Sequence, residues 1–439
     1  MSEIRIRWVA LLLMAVLILL MIALSIVNAW AAWEVVPCAT PTRTVPQPYL
    51  KGNNSLPKDT AGAGVTVAPR PVTFTNCEFV FRSYSGGWIV DGQYLAIGGG
   101  HAGHPGNDVD RFDLATGAWQ PLAYPSEAPG PYVLVNGVWT SSGLWRCMKG
   151  GGAGCGGVSP TGRPFTGHMY RLCAPALSTS SPSGLLACVL GSGTWTFDAG
   201  SGEWAQHAGR DRYKNEPACG AACGVLYDPL THALWVFASD TQNALSRAIY
   251  RYAFPVMDYD RVRSWPVVSG WGWGSKLITA FRVDLTREAV LITSPTGGTL
   301  PAVPYRIWRM ALDHPAAPIE WDDSILPGDP AYEELKGSDG KWARRCDVRQ
   351  TTGELWCWQG QTFTHPALGA VTPGWWVQDP QTRAWTKVPC SGLCPSVDWW
   401  TVAWDAATDT FIATDGLTLY CGVSAASCGG RARLVRYRP

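Results

Sequence analysis

Few residues in this chain are placed to do chemistry, and the best of them are imidazoles and guanidiniums. His101 and His104 stand in GGGHAGHPGND (98–108), directly after a short apolar run that ends at Ile97. Arg163 and His168 stand in TGRPFTGHMY (161–170). Imidazoles in such loops bind ligands or, with a third partner, metals. Two histidines without a third ligand are a weak metal signal, so neither a metal nor a cofactor is expected. The plainer reading is that they hydrogen-bond loop backbone beside the glycines. Lys276, Arg344, Arg345 and Trp399 each precede another apolar alternating run. Converging with Arg163, they would form a cationic mouth with an aromatic wall, suited to an acidic sugar or another anionic ligand. Scattered, they are solvated surface charge. No nucleophile elbow and no phosphate-cradling glycine loop stands out, and no catalytic residue is assigned.

What must position these groups is a repeat. In residues 94–119 a strand runs to Ile97, the loop with His101 and His104 follows, and 107–114 alternates into a second strand. An Asp113–Thr116–Gly117 turn then leads to Trp119, which is hairpin chemistry ending in an aromatic that packs between sheets. Hairpins of the same plan recur at 88–100, 168–193, 225–240, 281–294, 346–360 and 402–416. A third strand follows each, at 108–114, 194–199, 247–254, 305–312, 374–379 and 431–438. A fourth follows five of them, ending near Trp119, Trp204, Trp265, Trp321 and Trp385. The last set runs out of chain, while an extra alternating segment (72–81) precedes the first. That segment is expected to close the ring as the outer strand of the last blade, leaving no open sheet edge. The expectation is an all-β, six-bladed β-propeller, or a seven-bladed one if 123–160 holds a further blade.

The pattern GGGH-x5-NDV-x2-FDLATGAW, with TGRPFTGHMY and GTWTFDAGSGEW (193–204) after it, resembles the kelch-type repeat of propellers related to the central domain of galactose oxidase. The six-residue Asp-to-Trp spacing (Asp113–Trp119, Asp198–Trp204, Asp379–Trp385) suits that resemblance. It is specific in the first two units and architectural beyond them. It implies a fold. Copper-oxidase chemistry does not carry over, because no matching Tyr, His and crosslinked Cys pattern can be placed.

The compartment is read from two features. Residues 8–27 form an uncharged apolar run long enough to span a bilayer as a helix, with Arg5 and Arg7 ahead of it. The run is expected to be a transmembrane signal-anchor with the body exported; the competing reading is a signal peptide cleaved after Ala29-Trp30-Ala31. The 14 cysteines fall in order into neighbouring pairs: Cys38/Cys77, Cys147/Cys155, Cys173/Cys188, Cys219/Cys223, Cys346/Cys357, Cys390/Cys394 and Cys421/Cys428. Such local pairing is a disulfide framework of an oxidising compartment. Cys346 and Cys357 flank a turn and are expected to face each other on paired strands. Cys219-x-x-x-Cys223 and Cys390-x-x-x-Cys394 also resemble zinc half-sites, but no His lies near them. The domains expected are an anchor (1–29), a Pro/Gly/Thr-rich linker (30–71) and the propeller (72–439). With 35 basic against 34 acidic residues and no basic stripe, a nucleic-acid partner is not expected. The functional expectation is a membrane-tethered binding module for a glycan or protein partner, in the periplasm or outside the cell, or secreted if the leader is cleaved. The rival expectations are a sugar-modifying enzyme, such as an acidic-sugar epimerase, and a structural subunit of an envelope assembly.

Overall fold

The computed structural model describes residues 14, 32–45, 72–75, 77–82, 86–97, 109–120, 132–135, 138–141, 164, 171–176, 184–190, 193–209, 223–237, 248–253, 258–264, 277–281, 288–293, 306–336, 345–397, 401–420 and 429–439. These residues form a β-propeller. Ahead of its first blade run β1 (Trp33–Val35), β2 (Arg43–Val45), β3 (Val72–Phe74) and β4 (Phe79–Arg82). The first blade is β5 (Gly86–Val90), β6 (Gln93–Ile97), β7 (Val109–Asp113) and β8 (Ala118–Trp119). A hairpin, β9 (Tyr132–Val135) and β10 (Val138–Ser141), follows. The second blade is β11 (Cys173–Ala176), β12 (Leu185–Leu190), β13 (Gly193–Asp198) and β14 (Trp204–Gly209). The third is β15 (Gly224–Asp228), β16 (Ala233–Phe237), β17 (Ala248–Ala253) and β18 (Asp258–Ser264). The fourth is β19 (Leu277–Phe281), β20 (Glu288–Thr293), β21 (Arg306–Ala311) and β22 (Glu320–Asp322).

A short helix, α1 (Pro330–Lys336), leads to the fifth blade. This is β23 (Cys346–Arg349), β24 (Glu354–Gln359), β27 (Gly374–Gln378) and β28 (Trp385–Pro389), with the hairpin β25 (Phe363–His365) and β26 (Gly369–Val371) inserted. The chain ends in β29 (Ala403–Asp405), β30 (Thr410–Tyr420) and β31 (Gly429–Tyr437). The innermost strands neighbour one another in a closed circuit, β5 to β11, β15, β19, β23, β29 and back to β5.

The blade count departs from expectation. Among the described residues there are five four-stranded blades, not six or seven. The last set of strands is instead a five-stranded closing sheet. Its outermost place is shared by two segments: β4 pairs with residues 429–432 of β31, and β1 pairs with residues 435–436. The part of 72–81 that joins this sheet is therefore only its second half, since β3 pairs with β2. The region expected to hold a seventh blade contains β9 and β10, which pair with each other alone among the described strands.

Residues 33–45 correct the linker assignment. Composition hides them among Pro and Thr, yet they carry β1 and β2. Trp33 is 3% exposed and packs on Trp358, Trp375 and Tyr437, with ring centroids 5.2, 5.5 and 5.6 Å away. The expected membrane segment at 8–27 lies outside the described residues except for Met14. Among the described residues no helix is long and apolar enough to cross a membrane.

The repeated turns form for the reason their sequences suggest. The Asp113 carboxylate accepts the Ala115 and Thr116 N–H groups, both at 2.9 Å. Asp198 does the same for Gly200 and Ser201, and Asp379 for Gln381 and Thr382. These side chains mimic a backbone turn and hold the two outer strands of each blade in register. Gly117 closes the first of these turns at φ +67°, and a Cβ there would lie 2.8 Å from the Pro37 carbonyl oxygen. Only glycine suits both conditions. The turn thereby docks the N-terminal segment, whose Ala39 N–H donates to the Gly117 carbonyl at 2.6 Å.

Between described residues four disulfides stitch the ring: Cys38–Cys77, Cys173–Cys188, Cys346–Cys357 and Cys390–Cys394. Cys346 stands directly opposite Cys357 across β23 and β24, as its place beside the turn suggests, and Cys173 opposite Cys188 across β11 and β12. Each of these two bridges ties an inner strand to the next strand out. Cys223 is disulfide-bonded as well. Cys147, Cys155, Cys219, Cys421 and Cys428 lie outside the described residues.

Candidate functional site

The two faces of the ring are built differently. Inner strands all start at one face, called upper here, and Arg171 and Gly224 form a parallel bridge where two of them begin. Antiparallel order then sends the second-to-third-strand and blade-to-blade connections to the same face. Lower-face connections run from two residues (91–92) to eight (312–319). Most upper-face connections are longer: 98–108, 210–223, 238–247, 265–276, 294–305, 323–345 and 390–402.

Where the axis meets the upper face, Arg171 spans the ring. It sits two residues ahead of β11, and its own carbonyl accepts the Val225 N–H of the third blade at 2.9 Å. Its side chain reaches across to the other side. The Nη2 group donates to the Cys346 carbonyl at 2.8 Å and to the Val402 carbonyl at 2.9 Å. These two oxygens open the fifth blade and the closing sheet, so one guanidinium ties three parts of the ring. Arg171 is 6% exposed.

Asp347 faces this guanidinium from the fifth blade. Its neighbours on β23, Cys346 and Val348, are sealed in the core, while Asp347 keeps accessible surface. It stands on the innermost strand of its blade, at the seam with β29. The carboxylate accepts the Trp404 and Val348 N–H groups, both at 2.9 Å. Burial pushes its carboxyl above the ordinary value, and the Arg171 charge and the two backbone donors only partly oppose that. The two side chains attract at a distance but form no ion pair.

The seam between the first blade and the closing sheet is polar at the same face. The Tyr94 hydroxyl donates to the Thr401 carbonyl at 3.1 Å and lies 3.0 Å from the Thr414 hydroxyl. A Cβ on Gly87 would lie 2.1 Å from that Tyr94 oxygen, so the close approach needs glycine. Nearby, Asp415 accepts Arg433 Nε and Nη2 and the Ser396 N–H. Burial raises its carboxyl even so.

Of the residues singled out from sequence, Arg345 is described. It is buried, at 7% exposed, and immediately precedes Cys346. It is therefore not a solvated surface charge. His101, His104, Arg163, His168, Lys276, Arg344 and Trp399 lie outside the described residues. The described strands that flank them all leave at the upper face: His101 and His104 fall between β6 and β7, Arg163 and His168 ahead of β11, and Trp399 ahead of β29. Arg171 and Asp347 were missed. A faint signal exists in hindsight, since both Arg171 and Arg345 stand just ahead of an inner-strand cysteine.

A second buried charge lies away from the axis, between the fourth and fifth blades. Arg309 Nε donates to Asp322 at 2.7 Å, Nη1 to Glu288 at 2.8 Å and Nη2 to Gln378 at 2.7 Å. Gln378 Nε2 donates to Asp322 and to Ser324. Every arm is satisfied, which marks a structural clamp. On the rim of the first blade, Arg43 pairs with buried Asp110 and lies over the Trp119 ring. Among the described residues no three His, Cys, Asp or Glu side chains gather as a metal site. No protein-family model matches the chain, and no curated protein does.

Proposed function

We propose that this chain is an exported, membrane-tethered binding module of kelch type that takes an acidic glycan on its upper face. The observation that carries the reading is the division between the faces. Short, Asp-capped turns hold the lower face, while the long connections leave from the upper face around a channel end that carries Arg171, Arg345 and Asp347. Loops on a rigid scaffold are where binding residues concentrate, and a concave site with a few polar groups is the usual ligand seat. Disulfides in four blades or seams accord with an oxidising, extracytoplasmic setting. The apolar run at 8–27 would supply the tether.

On this reading Arg163 and His168, just ahead of the second blade's inner strand, contact the ligand with the other upper-face cations. Arg163→Ala and His168→Ala are each expected to weaken binding of an acidic glycan while leaving the unfolding midpoint in place. Losing one charge-assisted hydrogen bond removes about 1.5–3 kcal/mol, which is about tenfold or more in affinity. Arg383→Ala, in the lower-face turn between β27 and β28, serves as the cationic control. Surface plasmon resonance on the variants reads the difference. Equal loss at Arg383, or none at Arg163 and His168, would place the working surface elsewhere.

A further inference from the structure

Arg171 is a buried cation with unfinished bonding. Its Nη2 hydrogens are spent on two carbonyl oxygens. Its Nε is buried and has no hydrogen-bond partner. No carboxylate pairs with it among the described residues; Asp347, the acid that faces it, bonds to backbone N–H groups instead. Burying a charge with no counter-ion in contact is expensive. The side chain is nevertheless held rigidly, by partners 175 and 231 residues away in sequence, where it reaches across the ring to the starts of the fifth blade and the closing sheet. Arg345, also buried, stands directly ahead of Cys346, whose carbonyl accepts Arg171.

We propose that the channel end is a seat for a small carboxylate, which binds against Arg171 as the missing counter-ion. The two carbonyls fix the guanidinium in place, so the ligand loses little to ordering it. The carboxylate would sit between Arg171 and Asp347, with Arg171 attracting it and Asp347 repelling it when ionised. Charge-assisted hydrogen bonds to a desolvated guanidinium are among the stronger recognition contacts. The inference rests on the upper face being the working face, because that is where the seat opens.

The test is thermal unfolding of the full-length protein titrated with sodium acetate against sodium chloride at equal ionic strength. A ligand that binds only the folded ring raises the midpoint by mass action. Acetate is expected to raise it beyond chloride. Arg171→Met should weaken acetate about tenfold or more. That variant also leaves two carbonyls without a donor and can fail to fold. Asp347→Asn is therefore measured beside it: it leaves both Arg171 bonds in place, removes the repelling carboxylate and should tighten acetate. No acetate effect in the unaltered protein, or no tightening in Asp347→Asn, overturns the seat. Failure here with glycan binding intact removes the seat alone, and an acetate effect without glycan binding removes the glycan reading alone.

Discussion

Arg309→Ala is expected to destabilise the ring by about 3–5 kcal/mol, the usual loss when one partner of a buried ion pair is removed. Asp322 is fully buried, and Arg309 is 2% exposed. Without the guanidinium, the Asp322 carboxylate keeps only Gln378 and Ser324 as donors, and the Gln378 side-chain oxygen loses its partner. The clamp joins β21 and β22 of the fourth blade to β27 of the fifth, so its loss opens the seam between them. The pH dependence follows from the same contacts. Burial alone would raise the Asp322 carboxyl, but hydrogen bonding by Ser324 and the charge of Arg309 outweigh it and hold the group below its ordinary value of 3.8. A carboxyl lowered in the native state stabilises above its ordinary value, and that stability is lost as pH falls through the native value. Urea titrations of the unaltered protein should show the loss in that acid window. In Arg309→Ala the charge and the hydrogen bond of the guanidinium no longer oppose burial, so the acid slope from this group should shrink. A change under 1 kcal/mol, with the acid slope intact, would mean that the clamp does not hold the seam.

Trp33→Ala is expected to remove about 3–5 kcal/mol, as large aromatic truncations in a core do. The indole fills the space between the fifth blade and the closing sheet, against Trp358, Trp375 and Tyr437. Its strand, β1, covers the end of β31 that β4 does not reach. Truncation therefore weakens both the packing and the seam that closes the ring. Leu230, 66% exposed in a lower-face turn, is the control, and its alanine variant should stay within about 0.5 kcal/mol. Equal, small effects at both positions would mean that residues 33–35 are not part of the closure.

Much of the ring was legible because its signals are local. An Asp three residues ahead of Thr or Ser makes the same turn wherever it stands, as Asp113, Asp198 and Asp379 show. Cys346 and Cys357 bracket one hairpin, so their pairing follows from its register. The closure was only half legible. An alternating segment before the first blade suggests an extra strand, but its division between β3 and β4 depends on which partners lie alongside. Trp33 stands in a Pro- and Thr-rich stretch without periodicity, and only its packing partners reveal it as core. The channel end was the least legible. Arg171 gains its meaning from carbonyls on two distant parts of the chain, and a carbonyl has no signature in a sequence. Arg345 reads as a charge near a strand start, but whether such a charge is solvated or buried depends on what stands across the axis.

The most direct test of the glycan reading is to probe an array of acidic and neutral glycans with the detergent-solubilised full-length protein, beside its Arg163→Ala and His168→Ala variants. Retention on glycans bearing carboxylates, little retention on their neutral counterparts, and loss in both variants is the result expected of an upper face that binds acidic sugars. Equal retention on acidic and neutral glycans, or none on either, would contradict it.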